Sequence, residues 1–463
     1  MEIYDFVVLG GGSAGYAAAR TAAAEGLRTA VVEGGAELGG LCILRGCMPS
    51  KTLIESANRY STLRRAEEFG LRAGEIGFDT SAVIARKRRL IGEFASYRAE
   101  QLTDGSFDLL RGLASFVSPR EICVANDRGE TRIGARTALI ATGSRIAVPD
   151  VPGLAASGCL TSDDLLERET LPRSVIVLGA GPVGLEMAHY LNAFGVDTTV
   201  IQRSARILKG VDPDVALALE DAMRRQGVKI FKDTQIVAIE SEPDRKRVTF
   251  SHEGEQRVVE SDEILNALGR TPNIGGLGLE DIGVTLNRAH VLVSSTQETA
   301  VKGVFAAGDV CGPLEVVHLA IQQGEIAARN AARFLGAKMD HFEEMDYRLK
   351  LFATFTEPQV AVCGLTEAEA AELDLSVRTA TYAFGEHGKS MVMGETDGFV
   401  KLMVSAETRE ILGAACVGPH ASDLLHEVVV AMHFHATAGD LARVPHYHPT
   451  LAEIWTYPAE ELA

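Results

Sequence analysis

Two short apolar runs, each closed by a glycine loop and followed by a helix-forming stretch, constrain this chain more than any other feature. The first is Phe6-Val7-Val8-Leu9, then Gly10-Gly11-Gly12-Ser13-Ala14-Gly15, an alanine-rich segment over 16–25, and Thr29-Ala30-Val31-Val32-Glu33. The second is Ser174-Val175-Ile176-Val177-Leu178, then Gly179-Ala180-Gly181-Pro182-Val183-Gly184, a helical stretch over 185–194, and Thr198-Thr199-Val200-Ile201. Strand, tight turn, helix and strand make the βαβ unit of a doubly wound sheet. Its glycines permit the turn, let backbone approach a pyrophosphate, and let helix pack on strand. The helix N-terminus then favours phosphate. Glu33 stands where an acid accepts from ribose hydroxyls. One such pattern is weak evidence in a glycine-rich chain; two in order imply two nucleotide sites.

Ala138-Leu139-Ile140-Ala141-Thr142-Gly143 and Glu263-Ile264-Leu265-Asn266-Ala267-Leu268-Gly269-Arg270 are apolar strands stopped by glycine, and read as the returning strands of the two units. Val304-Phe305-Ala306-Ala307-Gly308-Asp309 is a further strand with an acid at its C-terminal end, where open α/β sheets bind ligands. Asp309 is an acceptor for a sugar-alcohol chain, or a simple turn residue. Beyond about residue 340 the glycine loops stop and alternating segments such as Gly398-Phe399-Val400-Lys401-Leu402-Met403-Val404 begin, which predicts a separate α+β domain.

A chain of 463 residues divides into several domains. Its net charge of -18 argues against nucleic acid or an anionic membrane as partner. Seven cysteines do not make a secreted disulfide framework. The start at Met1-Glu2-Ile3-Tyr4-Asp5 shows no leader pattern, no run offers some 18 apolar residues, and the expected location is cytoplasmic.

Cys42 and Cys47 lie in Gly39-Gly40-Leu41-Cys42-Ile43-Leu44-Arg45-Gly46-Cys47-Met48-Pro49-Ser50-Lys51. Five residues of regular helix advance about 7.5 Å, beyond the roughly 4.4–6.8 Å between Cα atoms that a disulfide accepts. A bonded pair therefore needs a kink, expected at Gly46 and Pro49. The plainer readings are two structural cysteines or half a zinc site, but zinc wants a second, closely spaced ligand pair. Cys123, Cys159, Cys311, Cys363 and Cys416 are scattered singly. A redox pair beside a bound cofactor is the favoured reading, with no metal.

In their joint order these motifs, with Gly269-Arg270-Thr271-Pro272-Asn273, Phe355-Thr356-Glu357-Pro358, Gly364-Leu365-Thr366-Glu367 and His448-Pro449-Thr450 with Glu453, resemble the flavoprotein pyridine nucleotide-disulfide oxidoreductases over essentially the whole chain. The resemblance implies an α/β fold with two Rossmann-like dinucleotide-binding domains and a C-terminal α+β dimerisation domain. Its expected bounds are 1–150 and 271–340 for FAD, 151–270 for NAD(P), and 341–463 for the interface of a homodimer whose active site is shared between subunits. FAD is expected on Gly10, Gly12, Ser13, Gly15, Glu33, Gly40, Thr142, Gly143 and Asp309. The nicotinamide dinucleotide is expected on Gly179, Gly181, Gly184, Gln202, Arg203, Lys209, Gly269 and Arg270.

The family pattern further implies that Cys47 faces the flavin and Cys42 attacks the substrate disulfide. His448 from the partner subunit moves the proton that keeps Cys42 a thiolate, and Glu453 orients His448. Lys51 sits near the flavin with Glu186 as its partner. His446 is expected to be structural or solvent-facing.

The chain departs from the pattern in two places. Leu41 stands where relatives have threonine, Leu44 and Arg45 where they have a short polar or aliphatic pair, and Arg45 either lowers the thiol pKa or is solvated. At the nicotinamide ribose, Gln202 lacks the charge that would repel a 2′-phosphate and Arg203 with Lys209 supplies cations, so NADPH is favoured over NADH. The overall pattern is nearest the dihydrolipoamide dehydrogenases, with a lipoyl or other small disulfide as substrate. Alternatives are an NADPH-dependent glutathione-like enzyme, for which Arg20 is suggestive, a mercuric-reductase-like enzyme, and a transhydrogenase or diaphorase without a disulfide substrate. His387, Lys389 and Met391 are candidates for the dimer cleft.

Overall fold

In the computed structural model, which describes residues 1–242, 245–336 and 341–463, the chain forms two compact units. The first comprises Met1–Pro49, Ala85–Ala147 and Arg270–Asp346; the second comprises Ser50–Ile84, Val148–Gly269 and Tyr347–Ala463. The domain limit expected at 340 lies against residues 337–340, outside the described residues.

The first unit is built on a sheet in which Asp108–Arg111, Thr29–Glu33, Glu2–Leu9 and Gly129–Ile140 run side by side in parallel, with Val304–Ala306 also parallel to Gly129–Ile140. Glu121–Asn126 and Leu113–Ser118 extend it antiparallel. Val7 and Leu9 point into one core and Phe6 and Val8 into another, all four with no exposed surface. A strand buried on both faces needs an unbroken apolar run, which is what 6–9 provides. The helix Ser13–Ala24 is alanine-rich because it packs tightly on Val317–Phe334: a Cβ on Gly324 would stand 2.3 Å from the Ala14 carbonyl oxygen.

The second unit holds a parallel sheet ordered Lys229–Phe231, Asp197–Ile201, Ser174–Leu178 and Glu263–Asn266, and a three-stranded antiparallel sheet. The three antiparallel strands are Gln235–Glu242, Arg245–His252 and Glu255–Ser261. The unit also holds a five-stranded antiparallel sheet ordered Leu351–Thr354, Gln359–Gly364, Ile411–Gly418, Phe399–Ser405 and Val377–Ala383. The helix Ala421–His433 covers that sheet, and the single tryptophan, Trp455, is fully buried with its indole N–H donated to the Leu424 carbonyl at 3.0 Å. Lys401 is buried among Asp212, Asp214 and Glu367 at 3.1, 3.0 and 2.8 Å and ties the five-stranded sheet to the start of the helix Pro213–Arg225.

Candidate active site

The two glycine loops make the same close approaches. Gly10 has φ 103° and a Cβ there would meet the Ala141 carbonyl oxygen at 2.5 Å; Gly179 has φ 102° and would meet that of Ala267 at 2.4 Å. Side chains at Gly15 and Gly184 would fall 1.8 and 2.2 Å from the carbonyl oxygens of Gly10 and Gly179. Only glycine fits such approaches. Gly12 and Gly181 cap the helices Ser13–Ala24 and Pro182–Ala193 without a side-chain bond, and no acid occupies either first turn. Three short helices in the same chain instead close their N-termini with threonine capping boxes, at Thr161, Thr366 and Thr437. The two glycine-loop helices thus leave N–H groups and a positive dipole end without a side-chain cap, which suits phosphate.

Glu33 Oε2 accepts from the Gly11 N–H at 2.8 Å, and Gln202 Oε1 accepts from the Ala180 N–H at 3.0 Å. Gln202 therefore holds its loop as Glu33 does, without the charge. Arg203, Arg206 and Lys209 follow it, exposed and without an ion-pair partner among the described residues. Arg206 adds a third cation to the pair picked out from sequence. Gly40, at φ 70°, lies so near the first loop that a Cβ would be 2.6 Å from the Gly12 Cα. In the same unit Arg270 donates to the Ser144 hydroxyl at 2.7 Å, which in turn donates to Asp309 at 2.5 Å. Gln323, fully buried, donates to the Gly312 carbonyl and accepts from the Gly308 N–H, fixing the loop that carries Asp309. Thr142 and Asn273 exchange side-chain bonds to each other's carbonyls. Gly143 and Gly269, at φ 68° and 116°, end the strands beside them.

Cys42 lies in the short helix Gly40–Leu44 and Cys47 opens the helix Cys47–Arg64. The break falls at Arg45 and Gly46: a side chain at Gly46 would stand 3.3 Å from the Cys42 Cα. Pro49 is not part of the kink. It lies in the first turn of the second helix, where a missing N–H costs nothing. Arg45 reaches Glu37 at 3.2 Å, both side chains more than half exposed, so it is engaged at the surface.

A cation the sequence reading missed is Arg98. Its guanidinium lies 4.1 Å over the Tyr16 ring, and its Nε and Nη1 are buried with no hydrogen-bond partner. It interacts electrostatically with Cys42, while burial lowers its own pKa. Nothing in its local sequence marks it; only the packing of its helix does. Arg20 pairs with Glu325 at 3.1 Å on the surface.

In the second unit Lys51 Nζ sits 2.8 and 3.0 Å from the two oxygens of Glu186 and 4.7 Å over the Phe355 ring. Phe355 N–H also donates to Glu186. His448 Nδ1 lies 2.8 Å from Glu453 Oε2; the imidazole is 81% exposed while the carboxylate is nearly buried. A histidine held at Nδ1 and open at Nε2 is a base presented outward. His446 is taken up by Glu427 and the Val444 carbonyl. His387, considered for a cleft, is instead fully buried.

The family model of pyridine nucleotide-disulphide oxidoreductases matches residues 4–324, and that of their dimerisation domain matches residues 352–459. The chain belongs to this family. The oxidoreductase is 34% identical to the dihydrolipoyl dehydrogenase of Bacillus subtilis (strain 168), across 97% of this chain and 96% of that one. It is 35% identical to that of Mycobacterium tuberculosis (strain CDC 1551 / Oshkosh), across 98% and 97%. Among solved structures, the Cu(II) complex of the HOCl-induced flavoprotein disulfide reductase RclA from Escherichia coli matches with a TM-score of 0.86 and 26% identity over all of both chains. The enzyme is therefore an FAD-dependent, pyridine nucleotide-linked disulfide oxidoreductase of mixed α/β fold. The two side-chain-free glycine cradles, each with an acceptor at the end of the second strand, fit two dinucleotides. Among the described residues no helix is long and apolar enough to cross a membrane.

Proposed function

We propose that the enzyme exchanges electrons between a nicotinamide dinucleotide and a disulfide–dithiol substrate through Cys42 and Cys47, most favourably a lipoyl group. Bound FAD supplies the relay of an electron pair between nicotinamide and the cysteines. Gly10, Gly12, Ser13, Gly15, Glu33, Gly40, Thr142, Gly143 and Asp309 hold it; Gly179, Gly181, Gly184, Gln202, Arg203, Lys209, Gly269 and Arg270 hold the nicotinamide dinucleotide. The division into FAD segments 1–150 and 271–340, a nicotinamide domain 151–270 and an interface domain 341–463 belongs to the same reading.

In the reducing direction the Cys42 thiolate attacks one sulfur of the substrate, forming a mixed disulfide and releasing the other sulfur, which takes a proton from His448. The Cys47 thiolate then attacks the Cys42 sulfur, closing the Cys42–Cys47 disulfide and releasing the second substrate sulfur as a thiolate, which takes its proton from water. Only a thiolate attacks, so a base must hold the proton between steps. The observation that carries this reading is His448, tied at Nδ1 to the nearly buried Glu453 and exposed on its other side. An outward base suits a homodimer in which His448 of one copy serves Cys42 of the other, and the dimerisation-domain match agrees. Lys51, held by Glu186, would supply a cation to the bound flavin. The lipoyl assignment follows the names of the most similar relatives, and a cytoplasmic location goes with it.

A second reading, an NADPH-linked reductase of another small disulfide, is favoured by uncharged Gln202 and the unpaired Arg203, Arg206 and Lys209. Initial rates of nicotinamide oxidation with lipoamide and with glutathione disulfide, each with NADH and NADPH, separate the two. Strong lipoamide turnover supports the first; turnover confined to another disulfide with NADPH replaces it with the second.

A further inference from the structure

Glu453 lies between two histidines. Its Oε2 meets His448 Nδ1 at 2.8 Å, and its Oε1 stands 3.3 Å from His387 Nε2. His387 has no exposed surface, and its Nδ1 is 2.9 Å from the hydroxyl of Ser390, which is also fully buried. At 3.3 Å the Nε2 contact falls short of a hydrogen bond, and that nitrogen is buried with no hydrogen-bond partner among the described residues. We propose that His387 is a positioning residue for the acid/base pair: it holds Oε1 of Glu453 so that Oε2 stays on His448.

The tautomer follows from the neighbours. The Ser390 hydroxyl can donate to Nδ1, which leaves the ring proton on Nε2, the nitrogen nearest the carboxylate. Burial keeps the ring below the usual histidine pKa, against the opposing pull of Glu453, so it stays neutral and carries one donor. A carboxylate gripped at one oxygen can turn about its terminal bond; gripped at both, it presents one fixed lone pair to His448. The titratable groups facing His387 are Glu453, His448 and Tyr457, whose ring centroid is 6.3 Å away edge-on and which stacks on Tyr382 at 3.9 Å. Neither tyrosine supplies a bond to Oε1. His387 sits at the junction of the turn Phe384–Glu386 and the helix Gly388–Met393, far in sequence from Glu453.

This inference rests on His448 being the base, so the experiment includes both. His387→Leu removes the donor; His387→Gln restores an N–H at the reach of Nε2; Ser390→Ala leaves the ring but frees its tautomer. Each is purified with flavin, and kcat and KM for the disulfide are followed against pH beside His448→Gln. His387→Leu is expected to lower kcat by about 10-fold with KM unchanged, and to displace the pH limb of kcat by about half a unit or more. His387→Gln is expected to recover most of both, and Ser390→Ala to displace the limb without a large loss of rate. If His387→Leu does not fold, the displacement in Ser390→Ala decides. An unmoved limb with wild-type kcat, or a Gln variant as impaired as the Leu variant, overturns the inference. Full turnover in His448→Gln would overturn the reading of the base itself.

Discussion

Glu33 and Gln202 occupy equivalent places in the two nucleotide units, each accepting the N–H of the second loop residue, Gly11 at 2.8 Å and Ala180 at 3.0 Å. The change from carboxylate to amide keeps the loop bond and removes the charge that would oppose a phosphate on the ribose. Gln202→Glu is expected to keep the loop intact and shift the NADPH:NADH ratio of kcat/KM toward NADH by 10-fold or more, about 1.4 kcal/mol. Arg203→Ala with Lys209→Ala is expected to raise KM for NADPH and leave that for NADH within about twofold. Equal ratios in wild type and variants would count against the assignment.

His448→Gln is expected to lower disulfide-linked turnover by about 10²-fold or more with flavin content retained, the usual size of a lost general acid/base. Glu453→Gln should fall between it and the wild type, because the amide can still bond His448 but cannot stabilise its cation. Steady-state rates on flavin-replete protein check both.

Arg98 and Arg45 both lie near the cysteines in sequence or space, yet differ in what they can do. Arg45 is spent on an exposed pair with Glu37, and exposed pairs contribute little. Arg98 is partly buried and interacts with Cys42, so Arg98→Met is expected to raise the pH at which reduced Cys42 becomes reactive by roughly one unit. Arg45→Leu should leave it unchanged. Alkylation rates of the reduced enzyme against pH distinguish them.

The Lys51–Glu186 pair is buried at its acidic end. Lys51→Met is expected to destabilise by about 3 kcal/mol because it strands the Glu186 carboxylate with only the Phe355 N–H. Lys51→Met with Glu186→Leu should regain much of that stability while leaving electron transfer impaired, a double-mutant cycle readable in urea midpoints.

Burial, with Glu395 nearby, pushes the Glu357 carboxyl up to about 7 despite Arg65. An acid raised in the folded state binds a proton the unfolded chain has released. Its contribution is therefore full below about pH 4.3, the unfolded value, and is lost as pH rises through 7. His189, buried against Asn58 at 2.7 Å, is pushed down to about 4, so its contribution is present above about 6.5 and lost as pH falls. Glu357→Gln is expected to gain stability relative to wild type between pH 5 and 8, by on the order of 2 kcal/mol at pH 8. Melting temperatures across that range test it; parallel curves would contradict it.

The glycine loops and the acid or amide at the end of each second strand could be read directly from the sequence. A Cβ at Gly15 or Gly184 would clash with a carbonyl only five residues back, so little else fits at those positions. The cysteine kink was half legible: the spacing demanded one, but whether Gly46 or Pro49 made it depended on where the second helix began. His448 with Glu453 was readable because five residues separate them. His387, Arg98 and the Lys401 cluster were not, because each acquires its role from groups brought to it by packing across tens to hundreds of residues. Local spacing determined which loops admit no side chain and where the two neighbouring cysteines stand. Tertiary packing alone decided which buried charge or ring nitrogen faces which carboxylate, since burial and distance, unlike backbone turns, have no signature in neighbouring residues.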